Sequence, residues 1–420
     1  MPDIDRDINR DIDLSTEITE LLADLVRIES TNPSLSSGGV GEASIASWVA
    51  AWCETQGLAV DPVDSGDGRP SLVVRSRPAQ SRAESAAAQS DAAQSGPRPA
   101  TGTLLLCGHL DTVDLGAMTD PLVPRVDGDR LYGRGSYDMK AGLAAALIAC
   151  REAARLGLDV DVVVAAVADE EHGSLGIQRV LDHLGAGFVA DAAVVTEPTE
   201  MAIGVAHKGF VWTEIDVMGV AAHGSRPQLG VDAIVRTGTL LVEIEALGRR
   251  LAARAHPLLG PGTVHAGVIE GGQGPSTIPE RCRLTIERRT LPGESPTDVE
   301  REVGQLLATC AAADPDFRAT ARTVMHRPPL ETAGAHPLVA ALSGACQDIR
   351  ADTPDVSGLS YWADSAFIAA RGIPTVLFGP GGDGAHADVE WVSLRDTADC
   401  ARVLVQLARH LGTALRRNEA

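Results

Sequence analysis

The apolar runs TLLLCGH, VDVVVAAVA, ADAAVVTEP and IPTVLFG constrain this chain more than any other feature. The first two are joined by MKAGLAAALIACREAARLG, with the apolar spacing of a helix, and the next pair by a helical stretch around Ile177 to Leu184. Strand and helix in alternation imply βαβ units, and strands apolar along their whole length are buried on both faces. The predicted fold class is therefore α/β: a mostly parallel sheet with helices on both faces. ITELLADLVRI and ADCARVLVQLARHL add amphipathic helices at the two ends, and SLVVRSR adds a strand.

The 420 residues are enough for about two or three domains. Near Gly204 the style changes. KGFVWTEIDVMG, TVHAGVIEGG, RCRLTIERRTL and FRATARTVMH read as strands, with GVDAIVRTGTLLVEIEALGRRLA and TDVEREVGQLLATCAAA as helices among them. Their order, βαββαβ, predicts an inserted α+β domain over 204–327. It divides the larger domain into 15–203 and 328–420. Residues 1–14 are predicted to be a flexible tail. Residues 77–102, rich in Ala, Ser, Gln and Pro, are predicted to be a mobile insertion, because such a composition buries little.

A formal charge of −21 argues against a nucleic-acid or anionic-membrane surface, which needs clustered Lys and Arg. Seven scattered cysteines without a CxxC pair read as small buried residues in a reducing compartment. The start MPDIDRDINRDIDLSTE is polar rather than signal-like, and no apolar run reaches the roughly 18 residues of a membrane span. A cytoplasmic location is expected.

The polar residues that end the apolar runs carry the chemistry. TLLLCGH ends in His109 with Asp111 two residues on; VDVVVAAVA ends in Asp169, Glu170 and Glu171; ADAAVVTEP contains Glu197; TVLFGPGGDGAH leads to His386; and Asp138 lies between GRGS and a helix. In an open parallel sheet, ligands bind at the carboxyl ends of the strands. Buried like charges are costly unless a cation neutralises them, and two imidazoles with several carboxylates suit a pair of divalent metals of the zinc type. Adjacent strand residues point to opposite faces, so Glu170 and Glu171 share a site only if the strand has already broken, as HGS after them predicts. One glutamate can then bind metal while the other serves as general base. Spacing does not say which.

The ordered set GHLDTV, GRGSYDMKAG, ADEEHGS, TEPT, GVAAHGSRPQLGVDAI, GGQGPSTIP, RRTLPGE and GPGGDGAHADVEWV resembles the di-zinc amidohydrolase and peptidase family M20, which includes acetylornithine deacetylase, succinyl-diaminopimelate desuccinylase, aminoacylase and glutamate carboxypeptidase. The resemblance spans nearly the whole chain. It implies that His109 and His386 bind one metal each, that Asp138 bridges the two, and that Glu171 and Glu197 complete the shells. It further implies that Glu170 is the general base, that Asp111 orients the His109 imidazole, and that the Asp138–Met139 peptide is cis. In the inserted domain it implies an oxyanion-stabilising His223, often acting across a dimer, and an Arg289 that binds a substrate carboxylate. Ser276 stands where relatives commonly carry Asn, and a hydroxyl cannot make both amide hydrogen bonds, so substrate contacts there are expected to differ.

The expected function is metal-dependent amide hydrolysis, foremost removal of an acyl group from an N-acyl amino acid, with two zinc ions or else cobalt or manganese. A dipeptidase or carboxypeptidase using the same site is the alternative, and a non-catalytic metal-binding homologue a further one. GPGGDG matches a dinucleotide-binding GxGxxG, but AHADVEWV follows instead of an apolar-faced helix, so the required context fails. No GxSxG motif supports a serine hydrolase. The expected partners are a small N-acyl amino acid or short peptide and a second copy of the chain, paired through the inserted domain.

Overall fold

The computed structural model of the protein describes residues 14–77 and 102–419. The tail and the insertion expected over 1–14 and 77–102 lie, boundary residues apart, outside them. Two compact units form. One runs to Val205 and resumes at Thr332–Ser357 and Ala363–Ala420; the other is Ala206–Glu331 with Gly358–Trp362.

The first unit opens with helices α1 (Leu14–Arg27) and α2 (Ala43–Thr55) and strands β1 (Ala59–Asp64), β2 (Pro70–Arg75) and β3 (Gly102–His109). Helix α3 (Ala141–Leu156), β4 (Val160–Val167), α4 (Leu175–Leu184), β5 (Ala192–Val195) and β6 (Ile203–His207) follow. The sheet is mixed. Strands β3, β4 and β5 run parallel, but β1 pairs antiparallel with β2, and β2 antiparallel with β4. Pro62 lies in β1, at the sheet edge, where a residue lacking an N–H is tolerated.

Alternate residues of the central strands feed two layers. Leu104, Leu106, Val162, Val164, Ala192 and Val194 join one core cluster with α1, α2 and α3. The opposite parity faces the other way, where α4 packs on β2 and β4. Helix α3 is buried through nearly all of its length, and its small residues allow that. A Cβ on Gly142 would overlap the Thr196 carbonyl, so glycine lets the start of α3 touch the end of β5.

The second unit contains β7 (Gly209–Met218), α5 (Ala233–Ala252), β8 (Thr263–Gly271), β9 (Arg281–Thr290), α6 (Pro296–Ala313) and β10 (Arg318–Arg327). Its sheet is antiparallel in the order β8-β9-β7-β10. Residues alternate between buried and more exposed along β7 and β9, and Val211, Ile215, Leu284 and Ile286 pack on Leu240, Ile244, Val303 and Leu306 of the two helices. Ser295 and Asp298 form a reciprocal capping box that starts α6, and Asp232 caps α5.

The first unit is completed by α7 (Pro337–Arg350), β11 (Thr375–Leu377), β12 (Trp391–Ser393) and α8 (Leu394–Glu419). Strand β11 extends the parallel block beside β5 and pairs antiparallel with β6. The sheet is thus parallel only across β4-β3-β5-β11. All seven cysteines are buried and unpaired. Among the described residues, no helix is long and apolar enough to cross a membrane.

Candidate active site

The four parallel strands end on one edge, and each delivers part of a polar cluster. Strand β3 ends on His109; β4 ends at Val167, two residues before a turn that carries Glu170 and Glu171; β5 leads into Glu197; and the chain beyond β11 reaches His386. The break after β4 is tight. Asp169 has a left-handed φ of 66°, and its carbonyl accepts the N–H groups of Gly173 and Ser174. Both glutamates can therefore face the same side. Asp138 comes from the Ser136–Lys140 turn ahead of α3, and its peptide bond to Met139 is cis.

Asp138 lies between the two histidines. Its Oδ1 is 3.2 Å from His109 Nε2, and its Oδ2 is 3.3 Å from His386 Nε2. His386 Nε2 also lies 3.1 Å from Glu171 Oε2, while His109 Nε2 is 4.0 Å from both Glu170 Oε2 and Glu197 Oε1. The ligand atoms of His109, Asp138 and Glu171 fall within 4.8 Å of one another, as do those of His109, Glu170 and Glu197. Glu171 Oε1 is buried and makes no hydrogen bond among the described residues. A buried carboxylate oxygen without a donor, inside a set made almost wholly of acceptors, fits a cation.

The electrostatics agree. Burial, then the charge of Glu197, pushes the Glu170 carboxyl well above the usual range. Burial does the same to Glu197, against the opposing pull of His109. Hydrogen bonds with Asp138 and Glu171 hold the His386 imidazole up at about 10. Burial alone would lower His109, but the Asp138 hydrogen bond and the charges of Glu197 and Glu170 outweigh it and raise it. Burial would raise Asp138, yet the two imidazoles hold it below the ordinary value.

Asp111 meets His109 differently from the expectation. His109 Nδ1 is 2.8 Å from the backbone carbonyl of Asp111, whereas the nearest carboxylate oxygen is 3.8 Å away. That carboxylate instead accepts the backbone N–H groups of Glu170 and Glu171, at 3.1 and 3.2 Å. It clamps the turn, and the backbone carbonyl orients the ring.

The other three expected residues lie in the second unit. His223 is exposed, with Nδ1 2.8 Å from Ser225 Oγ, and it pairs with Thr277 in a short ladder. The carbonyl of Ser276 accepts the Gly224 N–H at 2.8 Å, which sets His223 and Ser276 on neighbouring loops. Arg289 donates through Nε to Glu287 Oε1 at 2.6 Å, and its guanidinium lies 5.2 Å from the centre of the Phe210 ring.

Sequence reasoning missed Glu390. One oxygen of this buried carboxylate accepts Arg134 Nη1 and the Gly135 N–H, and the other accepts the N–H groups of Tyr137 and Asp138. It straps the loop that carries Asp138. Gly135 has a φ of 75°, and a side chain there would strike Thr112 and Lys140. The only signal was position, since Glu390 lies in the quoted ADVEWV stretch. Glu390→Ala would strand a buried guanidinium and three N–H groups. The expected loss in urea-unfolding free energy is about 3–5 kcal/mol; a loss below about 1 kcal/mol would refute the strap.

The sequence profile of peptidase family M20/M25/M40 matches residues 105–410. The acetylornithine deacetylase of Myxococcus xanthus is 31% identical over 327 residues, covering 76% of this chain and 83% of that protein. The N-formyl-4-amino-5-aminomethyl-2-methylpyrimidine deformylase of Bacillus subtilis is 26% identical over 393 residues, covering 86% and 87% respectively. The crystal structure of aminopeptidase PepT from Bacillus cereus superposes with a TM-score of 0.74 at 20% identity, covering 94% of this chain and 98% of that one.

Proposed function

Because the chain belongs to peptidase family M20/M25/M40 and is a hydrolase of that family, we propose that it removes the acyl group from an N-acyl amino acid or a related N-acyl amine by metal-dependent hydrolysis. The observation that carries this reading is one aspartate, Asp138, with an imidazole at each of its oxygens. Such a carboxylate suits a bridge between two cations. His109 and Glu197 would hold one, His386 and Glu171 the other. Zinc suits this set, and cobalt or manganese could replace it. When bound, such a pair activates water and polarises the scissile carbonyl.

The remaining steps belong to the chain. Glu170 takes the proton of the attacking water and returns it to the leaving nitrogen. Its carboxylate lies within the cluster, 4.0 Å from His109 Nε2, where a base can reach such a water. His223 supplies a donor to the developing oxyanion, and Arg289 and Ser276, the latter bonded through its carbonyl to Gly224 of the His223 loop, address the substrate's distal groups. The second unit serves as lid and dimerisation domain. The exposed edge strand β8, with Val268 and Ile269 open to solvent, supports pairing with a second copy.

Two relatives named above, a deacetylase and a deformylase, both release acyl groups, and this favours deacylation over peptide cleavage. The test is a rate comparison on zinc-loaded protein. N-acetyl, N-formyl, N-succinyl and N-carbamoyl amino acids are set against dipeptides. The best acyl substrate should exceed every dipeptide by at least about tenfold in kcat/KM, or about 1.4 kcal/mol. The reverse ranking would make the chain a peptidase.

A further inference from the structure

The short stretch TNPS, residues 31–34, comes from a loop far in sequence from the polar cluster, yet its asparagine is wholly buried beside it. Asn32 Nδ2 donates to Asp111 Oδ2 at 2.7 Å and to Asp169 Oδ1 at 3.1 Å. Its Oδ1 accepts the Ser34 N–H at 2.9 Å. The amide therefore cannot be flipped: its oxygen already has a donor, and its nitrogen faces two groups that only accept when ionised. Its backbone is fixed as well, by the Asn32 N–H to Thr112 carbonyl bond and the parallel Thr31–Thr112 bridge.

The two carboxylates that share this nitrogen both bear on the start of the Glu170 turn. Asp169 begins the turn, and Arg69 Nη1 donates at 2.5 Å to the same Oδ1 that Asn32 reaches. Arg69 is in turn paired with Glu42 through both terminal oxygens of that buried side chain. Asp111 accepts the N–H groups of Glu170 and Glu171. A single neutral amide thus separates two buried carboxylates and sets the one that orients the peptide carrying Glu170 and Glu171.

We infer that Asn32 is a positioning residue, which acts through Asp111 and Asp169 to fix the turn that presents Glu170 and Glu171. This rests on the hydrolase reading above for its effect on turnover, but not for its effect on metal binding. Asp111 deprived of the amide would keep its backbone N–H groups but lose its strongest lateral restraint and face Asp169 directly. Glu170 would then be misplaced for proton transfer, and Glu171 for coordination. A role confined to stability would lower the melting temperature and leave each folded, loaded site as active as before.

The experiment uses full-length Asn32→Ala and Asn32→Ser, each checked by circular dichroism. Zinc affinity is measured by competition with a chromogenic chelator, and turnover per zinc-loaded site with the best substrate of the screen. The expected result is a fall of about 10–100-fold in turnover, with KM little changed, or a fall of the same size in affinity for one of the two zinc ions. Turnover and both affinities within about threefold of the wild type would overturn the inference. So would failure of both variants to fold, since the amide would then serve stability. If the wild-type chain hydrolyses none of the substrates, the deacylase reading fails, and the zinc titration alone decides the role of Asn32.

Discussion

Glu170→Gln is expected to lower kcat by about 10²–10⁴-fold, or about 3–5 kcal/mol in the barrier, while both metal ions stay bound and KM changes little. The amide is nearly the same size as the carboxylate, so packing in the buried turn is retained. Glu170 lies 4.0 Å from His109 Nε2, beside the Asp138 bridge rather than between the imidazoles, so its charge is not the one that joins the two halves of the cluster. What the substitution removes is the carboxylate proposed above as the base. Single-turnover kinetics with metal content measured on the same sample checks this. Near-normal turnover at full metal loading would move the base to another residue, and Glu171 would be the next to test.

Stripping the metal with a chelator, or replacing Asp138 with alanine, should bring hydrolysis to background, and only the stripped wild type should recover when zinc is returned. Stability gives an independent readout. A ligand that binds only the folded chain adds about 2.7 kcal/mol when present at 100 times its Kd, so zinc should raise the melting temperature of the wild type and not of Asp138→Ala. The pH dependence has a definite sign. With no cation to neutralise them, Glu170 and Glu197 have folded pKa values raised above their ordinary 4.5. The folded chain then holds protons that the unfolded chain has released. Their contribution is complete below about 4.5 and is lost as pH rises through the raised values. Chelated protein should therefore be progressively less stable than zinc-loaded protein as pH climbs from 5 to 8, in thermal melts at about one-unit steps. A constant gap across that range would mean that these carboxyls are not the groups the metal relieves.

Much of the site was legible in the sequence because a parallel sheet brings strand ends together. Runs such as VDVVVAAVA are buried on both faces, so each had to lie inside the sheet, and whatever ended it had to lie at its edge. That logic led to His109, Glu170, Glu171 and Glu197, although it did not divide roles among them. The antiparallel edges were not legible. Strands β1 and β2 are short, and their pairing depends on the chain turning back on itself, which no periodicity records. The supporting residues were less visible still. Asn32 reaches Asp111 across 79 positions, and Glu390 reaches the Asp138 N–H across 252. Isolated polar residues in loops look alike until the fold closes around them. The Asp111 contact shows the limit most sharply. The spacing His-x-Asp brings the two residues together, but whether carboxylate or carbonyl meets the ring depends on which donors the turn after β4 offers.

The burial of every thiol gives each unit its own internal clock. Only the thiolate attacks an alkylating reagent, and burial pushes Cys53 and Cys346 up to about 12 and Cys107, Cys150 and Cys400 well above their ordinary value. Labelling must therefore wait for a local opening. Cys282 and Cys310 time the breathing of the antiparallel unit, and the other five time that of the metal-site unit. A mass-spectrometric time course could follow the two motions side by side in one unmodified chain.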